Sequence, residues 1–266
     1  MIELLAAAIA LLGSAAAGIW DLRTTEVPDE IPALMISFGV FLWYAYALST
    51  GDFLPLFYSL AAGTLVLGLG WVLYTRGQWG GADAFILAGI VYALPVYQGN
   101  FLAPTYLLNF LVVSSAYMIL YALGLGVLHR RVFGLFLDDL RKNSRMVLLL
   151  ITGCGIVSLL AARAGIGMLA LQLFLSMSLL VIFWRYARVI EHQIFRKRVS
   201  PSEVKVGDVL EGMIWRGIAE DELRRLRKEK KYVVVKEGVR FVPAFPLTLL
   251  VTLLYGNVFF VMLGLY

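Results

Sequence analysis

The stretch IELLAAAIALLGSAAAGIWDLRTTEVPDE, residues 2–30, decides how the chain is read. An apolar run close to the roughly 20 residues that a helix needs to cross hydrocarbon stops at one carboxylate, Asp21. A charge at the edge of a bilayer is costly, so such a residue is usually paired, water-facing and functional. The S-A-A-A-G at 14–18 has the look of a signal-peptide cleavage region. The opening M-I-E, however, carries an acid where a signal peptide is basic, so the run reads as a retained helix.

The rest of the chain continues the pattern. It has 266 residues, 61% hydrophobic and only 15% charged, which excludes a soluble domain and points to a multi-pass membrane protein. Apolar runs predict eight spans, near 2–20, 31–49, 54–75, 83–98, 102–127, 146–163, 168–187 and 245–265. The fourth is the shortest, with Pro95 near its end. No internal repeat is evident.

Lys and Arg set the orientation. The loop 128–145 holds Arg130, Arg131, Arg141, Lys142 and Arg145, and Arg185, Arg188, Arg196, Lys197 and Arg198 follow the seventh run. Arg23 and Arg76 fall in the first and third loops, whereas S-T-G-D, Y-Q-G-N and A-R-A-G are nearly bare. All strongly basic loops therefore lie on one side, expected to be the cytoplasm, with both termini outside. The same topology brings Asp21, at the inner end of the first span, to the depth of Asp83, at the inner start of the fourth.

Residues 192–243 hold 13 Lys/Arg against 8 Asp/Glu, a net +5, while the remainder balances at 10 of each sign. The segment reads as a small cytoplasmic α+β insert. A-E-D-E-L-R-R-L-R-K-E-K-K has acids first and bases last, as a helix dipole favours, with Leu223 and Leu226 on one face. K-Y-V-V-V-K-E-G-V-R-F-V predicts a hairpin turning near Gly238, and S-E-V-K-V-G-D-V-L a further strand. The expected fold is thus an all-α multi-pass membrane protein with about eight transmembrane helices and this α+β insert. The expected domains are a catalytic helical region 1–191, the basic domain 192–243 and a final helix 244–266.

Chemistry converges on two carboxylates. Asp83 closes G-G-A-D at 80–83, where Gly80 and Gly81 permit a tight turn and the first helical turn favours an anion. Asp21 sits at a helix C-terminal end, without that help. Two acids in unlike environments suit a division into acid and base, with the shared proton expected on Asp21 and the charge on Asp83. Taken alone, either would read as a solvated boundary acid, as Asp52, Asp138 and Asp139 do. The single cysteine, Cys154, lies in an apolar run and excludes an internal disulfide or a four-cysteine zinc site. His129 and His192 lack the spacing of a zinc protease, and Ser14, Ser114 and Ser115 lack a membrane His partner.

D-L-R-T-T-E-V-P-D at 21–29, with Pro28, resembles the D-x-[KR]-x-x-x-x-P-[ND] motif of type IV prepilin peptidases, and G-G-A-D resembles their G-x-G-D motif. Ala82 departs from the strict bacterial pattern, but a small residue there is typical of the archaeal preflagellin peptidase branch. G-V-R-F-V-P-A-F-P-L at 238–247 is similar to that branch too. The resemblance implies a membrane-embedded aspartic endopeptidase that removes a short basic leader from archaellin or type IV pilin precursors. It implies Asp21 and Asp83 as the catalytic pair, Gly80, Gly81 and Pro28 as motif-structural residues, and no metal or cofactor. The methyl transfer of bacterial relatives goes with a tetracysteine domain, so none is expected here.

The acids beside Asp21, namely Glu26, Asp29 and Glu30, form a negative cluster on a basic face and suit a Lys/Arg-rich leader anchored by its own apolar helix. The alternative is ordinary helix-start acids, with Pro28 and Pro32 opening the next helix. The expected partners are such precursors and the lipid bilayer. No nucleic acid is expected, because a cationic segment beside an anionic leaflet has the simpler reading of membrane contact. Two other functions fit a carboxylate pair. A presenilin-like or signal-peptide-peptidase-like protease also uses G-x-G-D, but its P-A-L belongs late in the chain, and here P-A-L is Pro32-Ala33-Leu34. A proton-coupled transporter should carry its acids nearer the midplane, with broken helices and repeats.

Overall fold

The first three apolar runs become helices that end where the sequence supplies a stop. In the computed structural model, α1 spans Ile2–Thr24, α2 Glu30–Thr50 and α3 Leu54–Thr75. The structure describes residues 1–163, 167–206, 208–210, 217–227 and 232–262. Helix α1 closes on Thr25 in the left-handed region (φ 62°), whose N–H donates to the Asp21 carbonyl at 2.9 Å. Helix α2 closes the same way on Gly51 (φ 77°), and Pro55 occupies the first turn of α3, where a missing N–H costs nothing.

The chain continues through α4 (Gly81–Ala93), β1 (Val96–Tyr97) and β2 (Asn100–Phe101), which pair antiparallel, and the long α5 (Ala103–Leu128). Then come α6 (Arg131–Lys142), α7 (Ser144–Arg163), α8 (Gly167–Ile190) and a π-helical turn, Glu191–Phe195. The remaining elements are β3 (Arg196–Val199), β4 (Val209–Leu210), α9 (Glu220–Leu226), β5 (Val233–Lys236), α10 (Ala244–Tyr255) and α11 (Val258–Met262).

Among the described residues, six helices are long and apolar enough to cross a membrane: α1, α2, α3, α5, α7 and the stretch Ala170–Phe195. The fourth and last of the eight expected spans form shorter apolar helices, of 13 and 12 residues. Pro95 lies just beyond α4, and Gly256 (φ 67°) separates α10 from α11, so neither helix continues. The mostly helical fold suits a multi-pass membrane protein.

Two segments differ from expectation. The basic stretch 128–145, read as a loop, contains α6, an amphipathic helix with Val132 and Phe136 buried and its charges outward except for Asp139. The predicted hairpin near Gly238 does not form. Instead β5 pairs antiparallel with β3, Val233 opposite Val199 and Lys236 opposite Arg196. The residues meant for the second hairpin strand are engaged elsewhere: the Arg240 carbonyl accepts from the Tyr117 hydroxyl at 2.6 Å, and the Val242 N–H serves Asp21. Backbone groups used in this way are not available to a strand ladder. Residues 228–231, which end the predicted basic helix after α9, lie outside the described residues.

The chain divides into two compact units. The first comprises Met1–Ile119 with the described parts of 205–228 and 237–266; the second comprises Leu120–Val204 and the described part of 229–236. In the first unit α4 is the core. Ala84 and every residue from Ile86 to Ala93 are buried against α1, α2 and α3. A helix apolar on all sides must be enclosed on all sides. Its last carbonyls, which lack intrahelical partners, are met by side chains: Trp43 Nε1 donates to Ala93 O at 2.9 Å and Ser59 Oγ to Tyr92 O at 2.7 Å. The outer faces of α2 and α3 remain apolar and exposed, with Phe41 and Leu65 among them, as lipid contact requires. Helix α10 is held by the first part of α5. The Tyr106 hydroxyl donates to the Phe245 carbonyl at 3.2 Å, and the Phe110 and Phe245 rings stack at 4.9 Å.

The second unit packs α6 and α7 against α8. Ala122, Val132, Phe136, Tyr186, Val189 and Ile190 form its core. Buried Arg185 donates from Nε to Asp139 at 2.8 Å, joining α8 to α6.

Candidate active site

Both acids singled out in the sequence lie in the first unit, at the ends of two helices in contact. Asp21 occupies the last turn of α1 and is only 5% exposed. Burying a carboxylate requires hydrogen-bond donors, and here the donor comes from far along the chain. The Val242 N–H, just before α10, donates to Asp21 Oδ2 at 3.1 Å. Gly18, one turn earlier in α1, makes that approach possible: a Cβ there would lie 3.2 Å from Pro243 Cα. Arg240 is near enough for its charge to act on Asp21.

Asp83 is the third residue of α4. Its Oδ2 accepts the Gly80 N–H at 3.1 Å, one of the donors a helix start leaves without an internal partner. This is the carboxylate half of a capping box, since Gly80 has no side chain to return the bond. A Cβ at 80 would lie 3.0 Å from the same Oδ2, so a side chain there would press on this carboxylate. Gly81 is under no such demand; its Cβ would make ordinary contact with Tyr74 at 3.6 Å. Gly70 in α3 sets the depth of the turn, as a Cβ there would come 2.6 Å from Ala84 Cβ. Asp21 and Asp83 are close enough for their charges to interact. Two carboxyls whose charges interact favour each other's protonated form, the starting point for a division into acid and base.

The three acids after Asp21 face solvent. Glu26 lies on the α1–α2 connection, Asp29 at the N-cap of α2 without its carboxylate capping the helix, and Glu30 in the first turn. Pro28 is half-buried between them, and its carbonyl accepts the Ile31 N–H at 3.2 Å. Ser14 is a packing residue, its hydroxyl turned back to the Ala10 carbonyl at 2.6 Å. Cys154 is buried. Among the described residues, no three His, Cys, Asp or Glu side chains gather as a metal site would need.

Sequence reasoning passed over Gly18, Arg240, Val242 and Pro243 as parts of this site. The only signal was the G-V-R-F-V-P run at 238–243, noted there without a role.

Comparison with known proteins bears on the same region. Residues 8–127 match the model of the type IV leader peptidase family. A protein of Methanococcus voltae named preflagellin peptidase is 32% identical over 113 residues, covering 41% of this chain. The chain spans about half the length of that relative (47%). No solved structure matches the chain.

Proposed function

We propose that the chain is a membrane-embedded aspartic endopeptidase, because residues 8–127 match the type IV leader peptidase model and a protein named preflagellin peptidase is similar over 113 residues. Its substrates in this reading are archaellin or type IV pilin-like precursors, each a short basic leader followed by an apolar helix. The observation that carries the reading is that Asp21 and Asp83, at the ends of the contacting helices α1 and α4, are near enough for their charges to interact, with Asp21 buried. One carboxylate takes a proton from water, whose oxygen attacks the scissile carbonyl carbon. The other, protonated, donates to the carbonyl oxygen. Collapse of the tetrahedral intermediate breaks the C–N bond, and the departing amine takes the proton. The Val242 N–H holds one Asp21 oxygen, fixing the orientation of that carboxylate between catalytic cycles.

The distribution of Lys and Arg supports an active site at the cytoplasmic face with both termini outside. There Glu26, Asp29 and Glu30 receive the basic leader while the precursor's helix stays in the bilayer. The test of the activity is direct: the purified protein in detergent should cut a tagged model precursor at the leader junction. A carboxylate-relay transporter would leave it whole. The leader site has its own test. An exposed ion pair contributes up to about 1 kcal/mol, so Glu26→Lys with Glu30→Lys should raise KM for a Lys-rich leader about tenfold, with kcat little changed. An unchanged KM removes these acids from substrate recognition.

A further inference from the structure

The second unit contains a cavity, lined mainly by charged and polar residues, that the proposed peptidase chemistry does not use. It measures 310 Å³ and opens where α6 meets the end of α8, with Lys142, Arg188, His192 and Gln193 on its wall. Three features make it more than a gap between charged surfaces. The Arg185–Asp139 pair, with Arg185 buried, forms a rigid floor in which the Asp139 charge is already met. Asn143 Nδ2 donates to the same Asp139 carboxylate at 3.1 Å, fixing the floor further. Asp138, the other acid on the wall, faces Arg141 at 3.9 Å. The π-helical turn Glu191–Phe195 then carries His192 and Gln193 onto the wall; such turns are rare and concentrate at functional sites.

That leaves Lys142 and Arg188 in excess. Neither reaches a carboxylate within ion-pair distance among the described residues. The Arg188 guanidinium lies 5.2 Å from the Trp184 ring centre, which holds it in place while leaving its N–H edge available. The setting supplies the ligand class. Helix α6 has the form of a helix lying in a membrane interface, with Arg131, Arg141 and Lys142 on its polar side and exposed Phe133 and Leu137 on its apolar side. Trp184, half-exposed beside it, suits the headgroup level. Basic pockets of this kind between membrane helices recognise anionic headgroups.

We propose that the cavity between α6 and the end of α8 binds the phosphate of an anionic membrane lipid. Lys142 and Arg188 supply the charge, and His192 and Gln193 hydrogen-bond the headgroup. This tethers α6 to the bilayer surface at one point.

Native mass spectrometry of the full chain tests it, with phosphatidylglycerol and phosphatidylcholine offered in equal amounts. The wild type should retain phosphatidylglycerol in preference. Lys142→Gln and Arg188→Gln should each lower that retention about fivefold, the effect of one basic residue against an anionic lipid. Arg145→Gln removes an equal charge from the neighbouring start of α7, off the cavity wall, and should leave retention as in the wild type. An equal fall in all three variants would mean a diffuse basic surface and overturn the proposal. So would displacement of the lipid by millimolar inorganic phosphate, which would assign the cavity to a soluble anion.

Discussion

Asp21→Asn and Asp83→Asn, made separately, should each leave a co-expressed tagged precursor uncut while the protein still inserts in the membrane. Proton transfer by a positioned side chain contributes about 10²–10⁴ in rate, so turnover in either variant should fall by about a thousandfold or more. The two acids act as a unit, and residues that act as a unit are not additive. The double variant should therefore be scarcely worse than either single one. The fold gives a reason to expect intact protein. An asparagine keeps a carbonyl oxygen of the same reach, so it can still accept from Val242 N–H at position 21 and from Gly80 N–H at position 83. What it cannot do is take a proton from water or give one to a carbonyl. Asp52→Asn, at an exposed turn where the carboxylate accepts the Leu54 N–H, should cleave like the wild type. Full processing by either Asp21→Asn or Asp83→Asn would end the aspartic mechanism.

The two acids stand out in the sequence because their signal is local: a carboxylate placed directly after or before an apolar run needs no partner to be noticed. The first three helices were legible for the same reason, each a hydrophobic run with a stop beside it. Helix α6 was hidden because, in hydropathy and basic charge, its stretch is indistinguishable from a loop. Its pattern instead lies in the spacing of Val132 and Phe136 within a charged stretch. The hairpin failed for a different reason. V-R-F-V has the composition of a strand, but composition does not say which partner its backbone will find. Here the Arg240 carbonyl goes to Tyr117 and the Val242 N–H to Asp21, 123 and 221 positions away. A backbone donor carries no residue identity, so no reading of side chains could have placed Val242 at the site. Gly18 and Gly70 were invisible in the same way, since their role is the space they leave for a distant element.

Gly39→Ala should destabilise the protein strongly, although the same change usually favours a helix by about 1 kcal/mol. The added Cβ would lie 2.5 Å from Ala93 Cα and 2.9 Å from both Ala93 N and the Tyr92 carbonyl. All three are backbone atoms of α4 and its end, so no side chain can swing aside and α2 and α4 must separate. Overpacking of this kind typically costs about 1–3 kcal/mol, and more where the neighbour cannot yield. Separation would also stretch the bond from Trp43 Nε1 to Ala93 O, leaving a buried carbonyl without its donor. Gly68→Ala is the matched comparison: also mid-helix, it has no heavy atom within 4 Å of the added Cβ. It should hold or slightly raise the unfolding temperature in detergent, while Gly39→Ala lowers it clearly. Activity should follow, because Asp83 rides on the helix that Gly39 lets in, and any shift of α4 moves one carboxylate relative to the other. If the two alanine variants melt alike, α2 and α4 do not approach each other this closely, and the depth at which α4 presents Asp83 is set by something other than glycine contacts.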